Sequence, residues 1–321
     1  MRNGFQLSLR PLCWSRVVVS QMLSLRKVRA EYGNSCLTLL VVILPFIGFL
    51  AGMLCQSGWG FSCLELGLFM SMYFLTAVGI TVGFHRLFTH RSFETNRVIQ
   101  ASLGILGSMA LQGSLFRWVA IHRRHHQHSD TPDDPHSPHY QGHGALTLLR
   151  GLWHAHLGWI FGPDPPNLSC YVKDLRCSRL LCLVSALFPL WVLLGLLLPA
   201  SIGLLFDGWS GAFLGFLWGG LIRIFFVHHV TWSINSVCHI WGPQAFPGHD
   251  QSRNNLILGI LALGEGWHNN HHAFPTSARH GFRWWQIDVS YWIIQTLVWL
   301  GLAWNLKLGG KPPLAASGCQ L

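Results

Sequence analysis

Four long apolar runs dominate the pattern of hydrophobic and polar positions along this chain. The runs are residues 32–64, 66–84, 180–206 and 209–230, and Arg223 is the one charged residue within them. Each run is long enough to cross a hydrocarbon core of about 30 Å as a helix. Because only short turns, near 56–60 and 207–208, separate the members of each pair, the pattern predicts two helical hairpins in a membrane.

Lys and Arg residues predict which side of the membrane the other segments occupy. Of these 22 residues, six lie in the first 31 positions, ten in 85–179 and five in 231–321, whereas the two turns contain none. Positively charged loops stay on the cytoplasmic side of a membrane. The distribution therefore predicts a multi-pass integral membrane protein whose termini and histidine-rich middle segment are cytoplasmic.

The chain is predicted to form one all-α membrane domain in which cytosolic helices cap the two hairpins. Its parts are a basic N-terminal arm at 1–31, the first hairpin at 36–84, a first cap segment at 85–179, the second hairpin at 180–230, a second cap segment at 231–308 and a tail at 309–321. Two further apolar runs, 98–116 and 289–305, contain polar interruptions and are expected to be interfacial or re-entrant helices. The arm fits either contact with anionic lipid or a transit peptide.

Composition supports the membrane assignment, excludes a disordered chain and argues against a cysteine-based zinc or redox site. Charged residues make up 11% of the chain, against about 25% in ordinary soluble domains. Disorder is excluded because 50% of the residues are hydrophobic and 16 are Trp, the opposite of a low-hydrophobicity chain. None of the nine cysteines forms a C-x-x-C pair, so the usual signature of zinc ribbons and thioredoxin-like sites is missing.

Histidine is concentrated in one part of the chain, since all 19 histidines lie between His85 and His280. Three clusters stand out: H-x-x-x-x-H at 85–90, and H-x-x-H-H at both 122–126 and 268–272. On a helix the positions i, i+3 and i+4 share one face. Each H-x-x-H-H therefore presents three imidazoles side by side, which is typical of a metal site.

The remaining candidate ligands have less direct spacings. His85 and His90 are about 140° apart on an ideal α-helix, so they converge only if a helix ends there. Asn235 and His239 lie four residues apart, just past the fourth apolar run, and add another helical pair. Both pairs are predicted on the same side of the membrane as the H-x-x-H-H clusters.

Nine histidines in these elements supply too many donors for one metal ion. A structural zinc takes about four ligands, so two ions with four or five imidazoles each are predicted. Imidazole suits iron, zinc, copper and nickel alike, so the ligand type does not select iron. Glu265 and Asp130 are candidate acceptors that orient ligand histidines. Of Asp130, Asp133 and Asp134, at least two are expected to be solvated at the surface.

In their order along the chain, these residues resemble the membrane fatty-acyl desaturases of the delta-9, stearoyl-CoA desaturase-like type, and in motif style the bacterial and cyanobacterial members. The resemblance extends from about Ala77 to Trp285. It is carried by GFHRLFTHR at 83–91, HRRHH at 122–126, SD at 129–130, DPH at 134–136, HLGW at 156–159, TWSINS at 231–236 with His239, and GEGWHNNHH at 264–272.

The resemblance implies a fold, an activity and a set of site residues. It implies two membrane hairpins and a cytosolic cap with a di-iron centre, which inserts a cis double bond, at the delta-9 position, into a saturated acyl chain. Thr231 and Trp232 would line the acyl tunnel near its bend. One iron would be held by His85, His90, His122, His126 and His271, and the other by His125, His239, His268 and His272, with Asn235 acting through a water.

Two departures from the family pattern concern the acyl carrier. Ala120 and Ile121 stand where the acyl-CoA enzymes of animals carry an Arg-Asp pair. The segment 162–164, Gly-Pro-Asp, stands where those enzymes carry a basic pair. Because the basic groups of those enzymes serve the CoA phosphates, both acyl-CoA and acyl-lipid stay open as substrates.

The chemistry requires reactants from outside the chain. Removing hydrogen from an unactivated methylene needs a strong oxidant, which a redox metal with O2 supplies and no side chain does. The chain has no G-x-G-x-x-G and no His-Pro-Gly-Gly, so a separate protein is expected to deliver two electrons. A net charge of +10 favours an acidic carrier of the ferredoxin or cytochrome b5 type, although topology and lipid attraction explain most of this charge. Membrane lipid is an expected partner and nucleic acid is not.

Two other interpretations keep part of this picture. A di-iron membrane hydroxylase or alkane monooxygenase would use the same site but return oxygen to carbon and yield an alcohol. A histidine-rich metal transporter or storage protein is disfavoured, because transporters place polar ligands near the bilayer midplane. The clusters of this chain lie at the ends of predicted spans or in loops.

Overall fold

The computed structural model describes residues 33–55, 62–139 and 144–309, and this part of the chain is mostly helical, as predicted. The predicted N-terminal arm, the first predicted turn and the tail after residue 309 lie outside the described residues. The α-helices are α1 Gly33–Cys55, α2 Cys63–Val78, α3 Arg97–Met109, α4 Leu115–His128, α5 Ala145–His156, α6 Arg179–Ala186, α7 Phe188–Gly215, α8 Arg223–Ser236, α9 Leu256–Leu261, α10 His268–Ala273 and α11 Val289–Trp299.

Helices of other types continue or connect these elements. A first π-helix, Gly79–Thr89, extends α2, and a second π-helix, Phe216–Ile222, joins α7 to α8. The 3-10 helices are Gly158–Phe161, Leu168–Val172, Leu175–Cys177 and Val237–His239. The helix that begins with α8 thus continues through Ser236 to His239, so the predicted fourth run does not stop before the Asn235–His239 pair.

Two helical stretches of the described residues are long and apolar enough to cross a membrane, by length and composition: Cys63–Thr89 and Phe188–His239. A shorter apolar helix covers Thr38–Leu54. The second stretch is not one straight helix, because Asp207 has φ −140° and Gly208 has φ 58°. Since the backbones of Gly203 and Gly211 touch across this break, the chain folds back as a helical hairpin at the residues where a turn was predicted.

The two runs that were expected not to cross are short helices. At about 1.5 Å per residue, the 13 residues of α3 and the 11 residues of α11 span roughly 20 Å and 17 Å, less than a hydrocarbon core of about 30 Å. The predicted run 98–116 is divided, because the chain leaves helical geometry at Leu111 (φ 59°) and Gly113 (φ 103°) before α4 begins. Both lengths agree with the prediction that neither segment crosses.

The prediction of an all-α fold missed one small sheet. Strands β1, Glu94–Thr95, and β2, Ala303–Trp304, pair antiparallel with Glu94 opposite Trp304 and Thr95 opposite Ala303. Two residues per strand leave no periodic signal in the sequence. The pairing ties the segment after α11 to the segment that follows the first histidine cluster.

The first π-helix crosses α3 at a contact that only glycine permits. A Cβ atom on Gly79 would collide with the backbone of Leu106 and Gly107, and a Cβ on Gly107 would collide with the ring of Phe84. The two backbones therefore touch, with no side chain between them. This contact fixes the π-helix that carries His85 against the helix beneath it.

Gly79→Ala is predicted to destabilise the protein, whereas Gly67→Ala is not. The added methyl group at Gly79 meets backbone atoms that cannot move aside, which costs about 1–3 kcal/mol. At Gly67, also in a helix, nothing lies within 4 Å of the added atom, so the higher helix propensity of Ala adds up to about 1 kcal/mol of stability. Thermal unfolding of the detergent-purified proteins measures both changes. Equal melting temperatures of the two variants would contradict the assigned contact.

Candidate metal centre

Four helical elements bring the nine predicted histidines together in two adjacent groups. The elements are the end of the first π-helix, α4, the 3-10 helix that follows α8, and α10. Within each group the potential ligand atoms all lie within 4.8 Å of one another. Group 1 comprises His85, His90, His122, His126 and His271, and group 2 comprises His125, His239, His268 and His272. These are the two sets that the family resemblance implies, although their roles as metal ligands stay a prediction.

The π-helix explains how His85 and His90 converge. Its i→i+5 bonding winds the chain less tightly than an α-helix does, so residues five apart lie closer to one face than in an α-helix. The N–H of His90 donates to the carbonyl of His85 at 3.1 Å, and the two ring centroids are 4.8 Å apart. The expectation of a 140° separation assumed an α-helix. The helix also ends here, where Arg123 donates to the carbonyls of Phe88 and Thr89.

Each H-x-x-H-H helix contributes to both groups, and the two helices do so in opposite ways. In α4 the i and i+4 residues, His122 and His126, belong to group 1, and the i+3 residue belongs to group 2. In α10 the i and i+4 residues, His268 and His272, belong to group 2, and the i+3 residue, His271, belongs to group 1. The three histidines of each motif share one helix face, as the spacing predicts. Two of them belong to one group and the third belongs to the other.

The nitrogen atoms within each group are spaced as ligands of one ion would be. The Nε2 atom of His271 lies 3.0 Å from that of His85 and 2.9 Å from that of His126. In group 2 the Nε2 atoms of His239 and His268 are 3.1 Å apart. Two ligands at right angles, each about 2.1 Å from an ion, are separated by about 3 Å. The spacing therefore fits a metal ion in each group.

The protonation of these rings also fits a metal site. Burial lowers the pKa well below its ordinary value for five of the imidazoles, so they are neutral and keep a lone pair for a metal. The buried Nε2 of His90 has no hydrogen-bond partner among the described residues, and a metal ion would satisfy it. The five are His90, His122, His126, His268 and His271. Imidazole ligands alone do not distinguish iron from zinc or copper.

Four buried carboxylates hold the opposite ring nitrogen, Nδ1, of four histidines. An Nδ1–H that donates to a carboxylate leaves Nε2 as the free lone pair and fixes the direction of the ring. The carboxylates stay ionised: burial alone would raise the pKa of Asp134, but the adjacent His125 lowers it overall. The pairs are Glu265 with His85 at 2.6 Å, Asp134 with His125 at 3.0 Å, Asp130 with His239 at 2.9 Å, and Asp250 with His272 at 2.7 Å.

These contacts correct one expectation from the sequence. Surface solvation was expected for at least two of Asp130, Asp133 and Asp134, but Asp134 is 4% exposed and the carboxylate of Asp130 is 5% exposed. Only Asp133, whose side chain is 69% exposed, is solvated. Glu265 does orient a histidine, although the partner is distant His85 and not the nearby His268. Sequence spacing cannot reveal such a partner, because the contact is tertiary.

Sequence reasoning missed three further residues beside group 1, namely Arg86, Asp288 and His280. Arg86 is fully buried, donates to Glu265 at 3.1 Å and forms an ion pair with Asp288 at 2.8 Å. His280 approaches Glu265 at 3.4 Å, and its ring centroid lies 4.4 Å from that of His271. Arg86 lies inside the first histidine motif and carried a usable signal as a charged residue at the end of an apolar run.

An apolar cavity reaches the centre from the side of α2. Its walls include Tyr73 and Ala77 of α2, and they reach His85, His122 and His268. A second cavity shares part of this wall. The shared residues are Trp118, His122, Thr231 and Asn235, and the second cavity adds Gln112, Arg117 and Trp232. Of the two predicted tunnel residues, Thr231 thus borders both cavities, and Trp232 borders the second.

Comparison with known proteins identifies the family. The family model for fatty acid desaturases matches residues 62–305. The hex-5-enoyl-[acyl-carrier protein] acetylenase of Moorena producens is 43% identical over 84% of this chain and 85% of its own. The sn-1 stearoyl-lipid 9-desaturase of Anabaena variabilis is 39% identical over 78% and 87%, and the icosanoyl-CoA 5-desaturase of Limnanthes douglasii is 39% identical over 72% and 61%. The chain therefore belongs to the fatty acid desaturase family.

Family membership and the site together define the class of activity. The protein is an oxidoreductase that acts on fatty acyl chains, and its clustered histidines fit a metal site. The apolar helical stretches agree with a membrane protein. The resemblance noted in the sequence is confirmed. The named relatives differ in the carbon that they modify and in the acyl carrier.

Asp134→Asn is predicted to weaken metal binding about 10–100-fold, which is typical when the group that orients a ligand histidine is lost. Asn lacks the charge that holds the Nδ1 proton of His125. Asp133→Asn is the matched control, because this neighbouring carboxylate is exposed and, in the part of the chain that the structure describes, pairs with Arg124 and with no histidine. Anaerobic equilibrium dialysis of the detergent-purified proteins against Fe2+ measures the affinity. Equal affinities of the two variants would contradict the orienting role of Asp134.

Proposed function

We propose that this protein is a di-iron desaturase that inserts a cis double bond, at C9, into a saturated acyl chain. The observation that carries the proposal is the apolar cavity that ends on His85, His122 and His268. Because these residues include members of both histidine groups, the cavity reaches both. A hydrocarbon chain has no polar handle, so a fitted apolar channel is what can present one of its bonds to a metal. The 9-desaturase relatives support the C9 position.

The proposed ligands follow the two groups of imidazoles. Group 1 would hold one iron and group 2 the other, with Asn235 bound through a water, since this residue lines both cavities beside the centre. Bound iron with O2 and two electrons would supply the oxidant for removal of hydrogen from an unactivated methylene. The four carboxylates keep the ligand rings in fixed orientations.

The protein's own contribution to the reaction would be placement of the acyl chain. Gln112 donates to the hydroxyl of Thr231 at 2.9 Å, and the indole of Trp118 donates to Gln112 at 3.2 Å. These hydrogen bonds fix three side chains in the cavity walls where the two cavities meet. A substrate held there has one bond near the centre, so the depth of the channel sets the position of the double bond and its bend sets the cis outcome.

The residues around the second cavity support an acyl-lipid, and not acyl-CoA, as the substrate. Arg117 lines both the second cavity and a third one, and it makes a bidentate pair with Asp164, from Nη2 to Oδ1 at 2.6 Å and from Nε to Oδ2 at 3.2 Å. A bidentate carboxylate satisfies the guanidinium. This pair therefore leaves no free cation at Arg117 for a polyanionic CoA head group.

The proposed topology places both termini and the centre in the cytoplasm, with four spans in two hairpins. The apolar stretches Cys63–Thr89 and Phe188–His239 support this topology, as does the distribution of Lys and Arg. Electrons would come from a separate carrier of the ferredoxin or cytochrome b5 type. A net charge of +10 favours an acidic partner of this kind.

Expression in a host without desaturases, followed by mass spectrometry of its lipids, tests the proposed activity. We expect alkenes with the double bond at C9 in the wild type, and no such product from His271→Ala or His125→Ala, because each variant removes one proposed ligand. His128→Ala is the matched control, since His128 lies on α4 but belongs to neither group. An alcohol as the main product would establish the hydroxylase alternative. Normal turnover of either ligand variant would contradict the ligand assignment.

Ala77→Leu is predicted to shift the substrate preference toward shorter acyl chains. Ala77 is buried in the cavity wall, and the added carbons occupy volume that a longer chain needs. With about 0.8 kcal/mol per buried CH2, exclusion of two methylenes reduces use of the longest chain by about tenfold or more. Met70→Leu, on the exposed side of the same helix, is the control. An unchanged chain-length profile, measured by mass spectrometry of the products, would contradict this role of the cavity.

A further inference from the structure

The end of α3 is buried among the apolar helices, where its last carbonyl groups need hydrogen-bond donors from elsewhere. Met109 is 3% exposed and Ala110 is fully buried. The last carbonyls of a helix have no partner inside that helix, and an unsatisfied carbonyl is costly where water is excluded. Two side chains of α8, Arg223 and His228, supply the missing donors.

Arg223 joins three helices through backbone carbonyls. Its side chain is fully buried, and among the described residues no carboxylate pairs with it. The guanidinium donates from Nη1 to Met109 at 2.8 Å, from Nη2 to Gly195 at 2.8 Å and from Nε to Gly219 at 3.1 Å. All three acceptors are neutral. The charge lies at the negative end of the α3 dipole, where a cation is favourable.

The contact with Gly195 has its origin in the sequence. Pro199, four residues later in α7, has no N–H, so the carbonyl of Gly195 loses its usual helical donor. Gly195 also has no side chain, and a Cβ there would lie 3.1 Å from the Met109 carbonyl. The proline frees an acceptor and the glycine admits the end of α3. Arg223 then satisfies both carbonyls at once.

His228 completes the contact one turn further along α8. Its Nε2 lies 3.0 Å from the carbonyl of Ala110 and 3.1 Å from that of Leu111. Leu111 has φ 59°, in the left-handed region that a branched side chain rarely adopts. Such a conformation persists only where surrounding contacts impose it. Three successive carbonyls at the end of α3, those of Met109, Ala110 and Leu111, are therefore contacted by side chains of α8.

The residue that follows this strained turn is Gln112, whose hydrogen bonds to Thr231 and Trp118 fix the wall between the two cavities. His228 and Thr231 lie three residues apart, on one face of α8. The same helix therefore holds the end of α3 and, one turn later, the side chain that Gln112 contacts. A shift of the α3 end would move this wall relative to the centre.

We propose that Arg223 and His228 are positioning residues that select which carbon–carbon bond of the acyl chain is oxidised. They act through the end of α3, which sets the place of Gln112 in the channel wall. Neither residue is among those that line the two described cavities or among the members of the histidine groups, although the ring of His228 lies 4.8 Å from that of Trp232. The inference rests on the proposed function, because it concerns the position of the double bond that this function introduces.

The test compares positional isomers in the lipids of a desaturase-free host that expresses the full chain. Arg223→Lys loses the planar fork that reaches several carbonyls, and His228→Leu loses the donor to Ala110 and Leu111. We expect each variant to raise the ratio of minor to major isomers by about tenfold, which corresponds to about 1.4 kcal/mol of positional preference. His228→Gln keeps an N–H donor and should restore the wild-type ratio.

Trp191→Phe controls for a merely structural effect, because Trp191 donates to the carbonyl of Val184 in α6 and is not among the described donors to the carbonyls at the end of α3. We expect less stable protein at most, with the wild-type isomer ratio. If Arg223→Lys and His228→Leu reduce the amount of product but keep that ratio, the proposed positioning role is wrong. If the Arg223→Lys protein fails to accumulate, the comparison of the isomer ratios of His228→Leu and His228→Gln decides whether the positioning role is correct. A wild-type chain that makes no double bond overturns the proposed function itself.

Discussion

The centre depends on one hydrogen bond that the protein makes four times: a buried carboxylate accepts the Nδ1 proton of an imidazole. This bond fixes the ring and turns the Nε2 lone pair toward its neighbours. In group 1, for example, the Nε2 atoms of His85 and His271 are held 3.0 Å apart. Converging lone pairs in a buried site repel one another, and a cation removes this cost. The fold therefore creates an electrostatic demand that a metal ion meets.

The surrounding helices bring the imidazoles together by fixing four separate segments relative to one another. The π-helix brings together two histidines that an α-helix would separate, and the contact between Gly79 and Gly107 anchors it on α3. α3 in turn ends among the apolar helices, where Arg223 and His228 hold its last carbonyls. The histidine groups and the apolar cavity therefore share the helices that support them.

Features that arise from local periodicity could be predicted from the sequence. The apolar runs and the turn at 207–208 are of this kind, as are the shared faces of 122–126 and 268–272. Features that arise from tertiary contacts could not, because single residues such as Asp250 and His280 repeat with no period. The π-helix was also hidden, since one extra residue per turn leaves no mark in the composition. The error at Asp134 has the same cause: an acid in a polar loop is normally solvated, and only the fold buries this one.

The exchange of roles between α4 and α10 has a consequence for biosynthesis. Because each of these helices serves both groups, neither group can form before both helices have docked against the elements that carry His85 and His239. A partly folded chain therefore presents scattered imidazoles with little affinity for an ion. If the groups hold metal ions as proposed, capture of the metal would stabilise only the completed architecture. The supply of metal would then set how much of the newly made polypeptide reaches that architecture.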